Sequence, residues 1–479
     1  MSRPINNGTQ SFETIVANNY FYVDKTMFIK EWWERGSDVT LITRPRRFGK
    51  TLTLDMVKRF FSIQYQGRPE IFKDLDIYND PKMMEKQGTV PVISLRLNGV
   101  TEPTYAEMIY SLSKKIREIF RTVKKYAVSD KMDSQDMEYI RRTLDVRYDA
   151  NNEVIPLSES AIKESLSMLS CILSNTFDDK KVLILLDEYD APLENAYLCG
   201  YWDEASRFFG QFYKKTFKDN EFLGRALITG INVIPKESLG SPFNNAAPYT
   251  VTDSMYGDVF GFTQEEVDDA LKEYSLLALG EEVRRWYDGY QFGDIKDMYN
   301  PLSICSLLES AEFDAYWWGS ASNRIVEHVI QNGSLELKDL FVELLQGRTV
   351  TVKMKKEISY DVLLDTEESI WGLLLSCGYL KQVERNGWEC VLSIVNHEVM
   401  EMMDALITAW FKNRNDSRSY DAFNKALIAC DEEGMQEHLS TLSLELMGNL
   451  DTAKEENSKV AENFYHGFVS LIDTRTRMR

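Results

Sequence analysis

The stretch from residue 39 to residue 51 constrains the fold of this chain more than any other. A continuous β-branched and aliphatic run opens the stretch, Pro45 marks a turn, and apolar residues recur at helical spacing from Thr51 onward. The pattern predicts a buried strand, a tight basic loop and the first turn of a helix. The unpaired N–H groups at such a helix start converge from one side, and they attract anions.

The loop within this stretch carries the residue types of a phosphate-binding loop. Gly49 lets the backbone come close to a phosphate, Lys50 adds a mobile positive charge for the β- and γ-phosphate oxygens, and the Thr51 hydroxyl is placed to ligate a magnesium ion. The usual pattern is G-x-x-x-x-G-K-[ST], and Arg44 stands at the position of its first glycine. On this stretch alone, a chance occurrence of Gly-Lys-Thr is an open alternative.

Residues 181–190 supply the second half of a nucleotide site. An apolar run closes on the carboxylates of Asp187 and Glu188, which is typical of a central parallel strand buried on both faces. Ligands of open α/β sheets bind at the carboxyl ends of the strands. Asp187 would hold magnesium through water, and Glu188 would orient or deprotonate the attacking water. The alternative is an ordinary core strand with a solvated acidic turn, and the lysine loop upstream argues against it.

Several short motifs follow one another along the chain: YVDKT at 22–26, RPRRFGKT at 44–51, LDEYDAP at 186–192, FGFT at 260–263, WYDGY at 286–290 and YNP at 299–301. In this order they resemble the signatures of the predicted AAA-ATPase-like bacterial family. Its members commonly carry a nuclease-like domain of the PD-(D/E)XK superfamily at their C-terminus. The likeness runs from about residue 8 to the last twenty or so residues. The family itself has the basic loop without the first glycine, so Arg44 fits its pattern.

The order of apolar runs and turns predicts an α/β fold, a P-loop ATPase with a five-stranded parallel sheet flanked by helices. Besides the two strands described above, we expect strands at residues 89–97, 225–230 and 248–252. The polar loop at 240–245 corresponds to a loop of the family, and residue types do not reveal its role.

We expect four parts along the chain. These are a P-loop ATPase domain at 1–255, a helical lid at 256–347, a winged-helix-like module at 348–400, and a helical tail at 401–479 that leads into an incomplete nuclease-like region. The lid opens with a capping box at residues 263–266, in which a threonine and a glutamate exchange hydrogen bonds with exposed backbone N–H groups.

Three residues outside the two phosphate motifs are further candidates for nucleotide binding. Asp24 belongs to the Asp-Lys-Thr element characteristic of the family, which suggests a place beside the adenine; alternatively, it caps the helix that follows. Thr229 or Asn232, at the end of the next strand, could sense the γ-phosphate. A threonine at a strand end is also common without any such role.

The loop itself contains two arginines and a phenylalanine that we include among the nucleotide-binding residues. Arg46 and Arg47 could grip the γ-phosphate or supply an arginine finger in cis. They could instead form structural salt bridges with Asp190 or Glu194. Phe48 lies between them and Gly49.

The C-terminal part shows a different pattern. Two alternating runs flank an Asn386-Gly387 pair, a hairpin signal, and helical periodicity precedes them. Winged helices can bind DNA, but Asp365, Glu367 and Glu368 form an acidic cluster that favours packing within the protein.

Residues 461–468 resemble the opening helix of the family's nuclease-like domain. A working nuclease core needs an aspartate on one strand and an E-x-K pair on the next to hold metal ions and activate water. The residues that follow contain neither, so Glu462 is not assigned as catalytic and no nuclease activity is expected.

Bulk composition limits the possible partners. A chain of 479 residues predicts about two to four domains, and its net charge of −20 opposes a large non-specific nucleic-acid surface. The absence of a long apolar run and of a signal peptide predicts a soluble, cytoplasmic protein without a membrane partner. Six cysteines without a C-x-x-C pair indicate neither a zinc site nor a disulfide framework.

The sequence therefore predicts magnesium-dependent binding of ATP and slow hydrolysis, with Lys50 and Glu188 as catalytic residues and Thr51 and Asp187 as metal ligands. The nucleotide would control an attached or partner protein effector. One alternative is a nucleotide-binding switch or scaffold that does not hydrolyse ATP. Another is a DNA-binding regulator that acts through the winged helix, although the net charge does not support DNA as a partner. The oligomeric state stays open.

Overall fold

The structure is a computed structural model that describes residues 2–126, 132–235, 246–318, 324–355 and 366–414, with a few single positions besides these ranges. The predicted polar loop at 240–245, the acidic residue Asp365 and the nuclease-like segment at 461–468 lie outside the described residues. In the part of the chain that is described, no helix combines the length and the apolar character needed to cross a membrane.

The N-terminal half is built around a parallel sheet of five strands, as predicted. The strands are β1 (Val39–Thr43), β2 (Val92–Arg96), β3 (Val182–Asp187), β4 (Leu223–Gly230) and β5 (Ala246–Tyr249). Their spatial order is β2-β3-β4-β1-β5, and every neighbouring pair is parallel. Strands β1 and β3 are buried along their whole length, which explains why their sequences are mostly β-branched and aliphatic and do not alternate with exposed polar residues.

Nine described helices accompany this sheet. They are α1 (Phe12–Ala17), α2 (Met27–Arg35), α3 (Lys50–Phe61), α4 (Pro81–Met84), α5 (Tyr105–Tyr126), α6 (Ser134–Leu144), α7 (Glu159–Thr176), α8 (Ala191–Cys199) and α9 (Trp202–Tyr213). A π-helical turn at Lys214–Lys218 extends α9. Helix α3 follows β1 after a loop at residues 44–49, and α8 follows β3 after residues 188–190, so both helices begin at the carboxyl edge of the sheet.

The strand order brings the two predicted halves of the site together. Strand β4 lies between β1 and β3, with Leu41 paired to Ile228 and Ile228 paired to Leu186. Because all three strands are parallel, their carboxyl ends lie at one edge of the sheet. The loop after β1 and the acidic end of β3 therefore face the same space.

The next part, residues 256–318, is called here the cap region. It contains α10 (Gln264–Glu273), α11 (Gly280–Tyr287), α12 (Pro301–Ser310) and an antiparallel pair, β6 (Tyr290–Phe292) and β7 (Ile295–Met298). The predicted capping box is confirmed, since Thr263 and Glu266 each accept the hydrogen bond from the other's backbone N–H. The short pair β6–β7 adds to the helices that the sequence predicted.

The C-terminal described part combines helices with a small sheet. Its elements are α13 (Arg324–Asn332), α14 (Leu335–Leu345), β8 (Val350–Lys353), α15 (Glu367–Cys377), β9 (Leu380–Asn386), β10 (Glu389–Ile394) and α16 (His397–Arg414). The sheet has the order β8-β10-β9, and the hairpin of β9 and β10 turns at Gly387, as its sequence predicted. The predicted winged-helix character of this part stays a prediction.

Two apolar clusters hold these parts together. The larger one runs from the sheet through β6 and Trp317 into α15, β10 and α16. The smaller one joins α10, α11 and α12 to Phe21 of the N-terminal stretch. The sheet, the cap region and the C-terminal part therefore share their cores, and the cap region is packed on both of its neighbours.

Candidate functional site

A cleft of about 560 Å³ lies at the carboxyl edge of the sheet. Its floor is the loop and first turn of α3, residues 46–53, and one side is formed by the start of α8. Residues of the N-terminal stretch and of the cap region form the other walls, including Phe262 and Leu302. A cleft at this edge of a parallel sheet is the usual place for a ligand.

The loop after β1 adopts the backbone conformation of an anion site. Gly49 is the N-cap of α3 with a φ of +82°, and a Cβ at this position would meet no atom within 4 Å. Arg47 also has a positive φ, of +67°. Two left-handed residues so close together turn the chain sharply into the helix, whose first N–H groups have no partner within the helix.

Lys50 is folded back over the loop. Its Nζ donates hydrogen bonds to the carbonyl oxygens of Arg44, at 2.8 Å, and Pro45, at 2.7 Å. Burial lowers the pKa of Lys50 to about 8, and the negative charges of Asp187 and Glu188 oppose this shift. The ammonium group is thus desolvated and surrounded by acceptors, a state in which it interacts strongly with an anion.

Asp187 is the most highly connected acid of the site. Its carboxylate accepts hydrogen bonds from the hydroxyls of Thr51, at 2.6 Å, and Thr229, at 2.7 Å. Arg96 approaches the same carboxylate, with Nε at 3.4 Å from Oδ2. The fold therefore brings together Thr51 and Asp187, the two residues predicted to bind magnesium.

Glu188 lines the cleft, whereas Asp187, the residue before it, is buried. Its φ of +55° is in the left-handed region, which is rare for a glutamate and concentrates at functional sites. Burial raises the pKa of Glu188, and the neighbouring charge of Asp187 raises it further. A carboxylate whose pKa is moved towards neutrality is a better proton acceptor at physiological pH.

The two loop arginines occupy different environments. Arg46 lines the cleft and pairs with Glu194 on α8, with Nη2 at 3.2 Å from Oε1. Burial raises the pKa of Glu194 to about 6, and Arg46 opposes that shift. Asp190 instead accepts hydrogen bonds from the backbone N–H groups of Ile231 and Asn232. Of the two acidic partners that the sequence analysis considered, Arg46 forms its salt bridge with Glu194.

Arg47 and Phe48 complete the floor of the cleft. The ring of Phe48 is buried and packs edge-on against Tyr290, with the ring centroids 4.8 Å apart, and against Phe292, at 5.5 Å. The loop after β1 is thereby anchored to β6 of the cap region.

Asp24 does not line the cleft. Its carboxylate accepts hydrogen bonds from the N–H and hydroxyl groups of Thr26 and from the N–H of Asp76. The N-cap of α2 is Thr26, and no side chain caps this helix. Asp24 therefore ties two turns together, whereas its neighbours Phe21, Tyr22, Val23 and Lys25 line the cleft.

Thr229 and Asn232 are buried beneath the cleft. Thr229 donates to Asp187 and does not reach the cleft surface, so its link to a phosphate would run through that carboxylate. The amide nitrogen of Asn232 donates to the hydroxyl of Tyr360 at 3.1 Å. Between these two residues, Ile231 supplies the part of the chain that lines the cleft.

Arg44 shows why the first glycine of the usual pattern is absent. Its guanidinium is buried, stacks on Phe292 with 4.7 Å to the ring centroid, and donates to carbonyl oxygens. These acceptors belong to Thr43, Tyr249, Thr250, Met255 and Tyr256. Burial lowers the pKa of Arg44 to about 9. The side chain fastens the start of the loop to the chain that leads into the cap region.

Two site residues were not found from the sequence. Arg324, at the start of α13, lines the cleft and donates to the Asn195 side chain at 3.3 Å. It carries no local signal, because only the packing of the C-terminal part brings it here. Arg96 ends β2, and its position at the end of a predicted strand could have pointed to it.

The oxygen donors of the site fit a magnesium ion. The Thr51 hydroxyl and the Asp187 carboxylate are within hydrogen-bonding distance of each other, and both are hard ligands. Magnesium is usually held by one or two protein oxygens, with phosphate oxygens and water completing its octahedron. The donor set therefore suits a metal ion that arrives with a phosphate ligand.

Comparison with known proteins gave three similarities. Residues 6–240 match the sequence profile of a family described as predicted AAA-ATPase. A protein of Azotobacter chroococcum mcd 1, described as an uncharacterized protein in the vnfD 5' region, is 27% identical over 389 residues. That alignment covers 79% of the chain but only 64% of the relative's length. The Walker-type ATPase PABY2304 of Pyrococcus abyssi has a TM-score of 0.40 and 13% identity, over 80% of this chain and 96% of that one.

Proposed function

We propose that the chain, whose residues 6–240 match the predicted AAA-ATPase family, binds ATP together with magnesium and hydrolyses it slowly in the cleft. The observation that carries this proposal is the meeting of Thr51, at the start of α3, with Asp187, at the end of β3, at 2.6 Å. Lys50 and Glu188 flank this contact. The ammonium group of Lys50, the hydroxyl of Thr51 and the carboxylate of Glu188 line one cleft, and the buried Asp187 contacts Thr51 from beneath. Phosphoryl transfer from a nucleotide uses groups of these kinds.

The phosphates would bind at the start of α3. The N–H groups of this helix turn and the desolvated Lys50 attract the β- and γ-phosphates, and Lys50 exchanges the two loop carbonyls for phosphate oxygens. Arg46 lies beside them and would neutralise charge on the γ-phosphate, in competition with Glu194. Magnesium, held by Thr51 and Asp187, would supply positive charge to the phosphoryl oxygens.

Glu188 would act on the attacking water. Its left-handed backbone turns the side chain into the cleft, and its raised pKa suits a proton acceptor. Thr229 would keep the Asp187 carboxylate in place from beneath. The side chains of Tyr22, Val23 and Phe262 form an apolar wall that suits the nucleotide base.

We further propose that the bound nucleotide controls an effector through the cap region. Phe48 of the loop packs on β6, and Pro45 lies against Gly378, where an added Cβ would come within 2.8 Å of the proline. A shift of the loop would therefore be passed to the cap region and to the C-terminal part. The alternative function, a nucleotide-binding switch that does not hydrolyse ATP, would depend on the same contacts. It differs only in that Glu188 would not activate water.

Binding is tested by replacing Lys50 with Ala and measuring ATP affinity by calorimetry. Because Lys50 would make charge-assisted hydrogen bonds to the phosphates, we expect affinity to fall by about tenfold or more. Lys124→Ala, an exposed lysine on α5, is the control and should leave the affinity unchanged. A folded Lys50→Ala protein that binds ATP as tightly as the wild type would refute the proposed site.

Hydrolysis is tested by replacing Glu188 with Gln and measuring phosphate release. Loss of the proton acceptor should lower the rate by about 100-fold while ATP still binds. Glu204→Gln, an exposed residue on α9, serves as the matched control. A trace rate that is the same in the wild type and in Glu188→Gln would leave the switch as the function of the site.

A further inference from the structure

Arg96 is placed opposite Asp187 by the register of the sheet. In the parallel pair of β2 and β3, Arg96 is the direct partner of Asp187, and the N–H of Leu97 donates to the Asp187 carbonyl at 2.9 Å. Side chains at partnered positions of neighbouring strands point to the same face. The strand pairing therefore places the Arg96 guanidinium next to the Asp187 carboxylate, the proposed metal ligand.

Arg96 approaches the carboxylate oxygen of Asp187 that would bind the metal ion. Its Nε lies 3.4 Å from Asp187 Oδ2, the atom that also accepts the Thr51 hydroxyl at 2.6 Å. The other oxygen, Oδ1, is taken by Thr229. The guanidinium thus stands on the side of Asp187 where Thr51 and the carboxylate would share an ion.

A second contact holds Arg96 in this position. Its Nη1 donates to the side-chain oxygen of Gln10 at 2.7 Å, and Gln10 lines the cleft. The Arg96 side chain is 38% exposed, so it can move aside at little cost in packing. The guanidinium of Arg96 is therefore fixed by a hydrogen bond but partly exposed to solvent.

We propose that Arg96 is a positioning residue that acts through Asp187. Its positive charge disfavours a divalent ion at the metal-binding face of Asp187, so that the ion binds only together with the triphosphate. This inference rests on the proposed function. A guanidinium repels a divalent cation next to it, and a single carboxylate does not offset that repulsion. The negative charge of a triphosphate offsets the repulsion, because it neutralises the divalent ion and the Arg96 guanidinium. Its oxygens also complete the coordination of the ion.

The composition of the site agrees with this assignment. Within the described ranges, no group of three or more His, Cys, Asp or Glu side chains could hold a metal ion by itself. With one carboxylate and one hydroxyl from the protein, the charge balance at Asp187 decides whether a bare ion binds. Arg96 shifts that balance against it.

The test measures Mn²⁺ binding without nucleotide, by electron paramagnetic resonance, in the wild type and in Arg96→Gln. Removing one charge at this distance should strengthen Mn²⁺ binding by about tenfold in partly aqueous surroundings. Arg96→Lys, which keeps the charge, and Arg142→Gln, on the exposed face of α6, should resemble the wild type. Equal Mn²⁺ affinity in Arg96→Gln and the wild type would overturn the inference.

A second variant locates the ion. In Arg96→Gln combined with Asp187→Asn, the gain in Mn²⁺ affinity should disappear; a gain that persists would place the ion elsewhere and reject the role of Arg96. ATP binding by Arg96→Gln is measured in parallel. If Arg96→Gln binds ATP normally and its Mn²⁺ affinity equals that of the wild type, this inference fails and the proposed function stands. If the wild-type protein does not bind ATP, the proposed function itself fails.

Discussion

At the scale of single residues, Glu398 illustrates how much a buried acid can influence this protein. It lies in the first turn of α16, is fully buried, and accepts hydrogen bonds from the Ser303 hydroxyl at 2.9 Å and from the Trp317 N–H at 2.8 Å. Burial raises the pKa of Glu398 to about 7, and these two hydrogen bonds oppose the shift. Asp314 and Glu401 add further negative charge nearby.

This pKa predicts a pH-dependent stability. Because the pKa of Glu398 is about 7 in the folded state and near 4.5 in the unfolded chain, the folded state binds the proton more tightly. Its contribution to the free energy of unfolding is complete below about pH 4.5 and is lost as the pH rises through about 7, a loss of about 3 kcal/mol at most.

The measurement is the thermal unfolding midpoint from pH 4.5 to pH 8 for the wild type and Glu398→Gln. The amide keeps an acceptor for Ser303 and Trp317 and cannot ionise, so the wild type should lose stability relative to the variant as the pH rises. Glu384→Gln, on the exposed part of β9, should follow the wild type at every pH. A constant difference between wild type and Glu398→Gln would contradict the assignment.

The site residues divide into those with a local signal and those without one. Lys50, Thr51 and Asp187 stand at a strand end or a helix start, which the sequence marks through apolar runs and a glycine. The contact of Thr229 with Asp187 depends on the register of two strands far apart in the chain, and no local pattern encodes that register. The same holds for the Glu194 partner of Arg46, which the sequence offered only as one of two possibilities.

At the scale of elements, the N-terminal stretch of residues 3–26 links the sheet to the cap region. Arg3 binds Glu273 of α10 through Nη2, at 2.7 Å, and Nε, at 3.0 Å. On the side of the sheet, the N–H of Phe12 donates to Asp55 of α3 at 2.8 Å. The stretch therefore spans the wall of the cleft and holds α10 against it.

We expect the pair of Arg3 and Glu273 to stabilise this arrangement. Arg3→Glu replaces a two-point ion pair by repulsion, and because both side chains are partly exposed the loss should be about 1 kcal/mol. Thermal unfolding of Arg3→Glu, Glu273→Arg and the double exchange checks this, with most of the loss recovered in the double exchange.

A surface pair gives the comparison. Arg348 and Glu343 are each about half exposed, and Arg348→Glu should change the unfolding midpoint very little. If the double exchange at Arg3 and Glu273 does not restore the midpoint, the stretch is held by its apolar contacts and the ion pair contributes nothing.

The elements of the fold differ in how far sequence predicts them. Strands β1 and β3 are runs of β-branched and aliphatic residues, and a capping box marks the start of α10, so these three elements could be predicted from the sequence. Strands β6 and β7 have only three and four residues, with an exposed lysine and aspartate in β7. Their alternation is too short to distinguish from a loop. Strand β6 is instead stabilised by packing on Phe48, and β7 by pairing with β6.

At the scale of the whole molecule, the cleft joins residues at the edge of the five-stranded sheet, residues of the N-terminal stretch and residues of the cap region. A ligand that binds the folded state alone stabilises everything that must be in place to hold it, by about 2.7 kcal/mol at 100 times its Kd. Magnesium and ATP should therefore slow amide hydrogen exchange in α3 and in α12 alike, since both line the cleft.

Hydrogen exchange followed by mass spectrometry checks this expectation, and Lys50→Ala should show weaker protection than the wild type at the same ATP concentration. Protection confined to α3 would mean that the cap region does not take part in binding. It would remove the basis for control of an effector through this region.

The overall charge predicts how the molecule behaves with DNA. A net charge of −20 and the acidic Glu367 and Glu368 at the start of α15 oppose contact with phosphates. We expect no change in fluorescence anisotropy of labelled double-stranded DNA at low salt. Salt-dependent binding there would revive the DNA-binding regulator as the function of the C-terminal part.

The buried guanidinium of Arg44 limits how this motif can be engineered. Four of its five acceptors lie at residues 249–256, far along the chain, and its stacking partner is Phe292. A graft of residues 44–51 alone onto another protein would bury a cation without these acceptors, which costs several kcal/mol. A working transplant has to bring the distant carbonyls and the aromatic ring along with the loop.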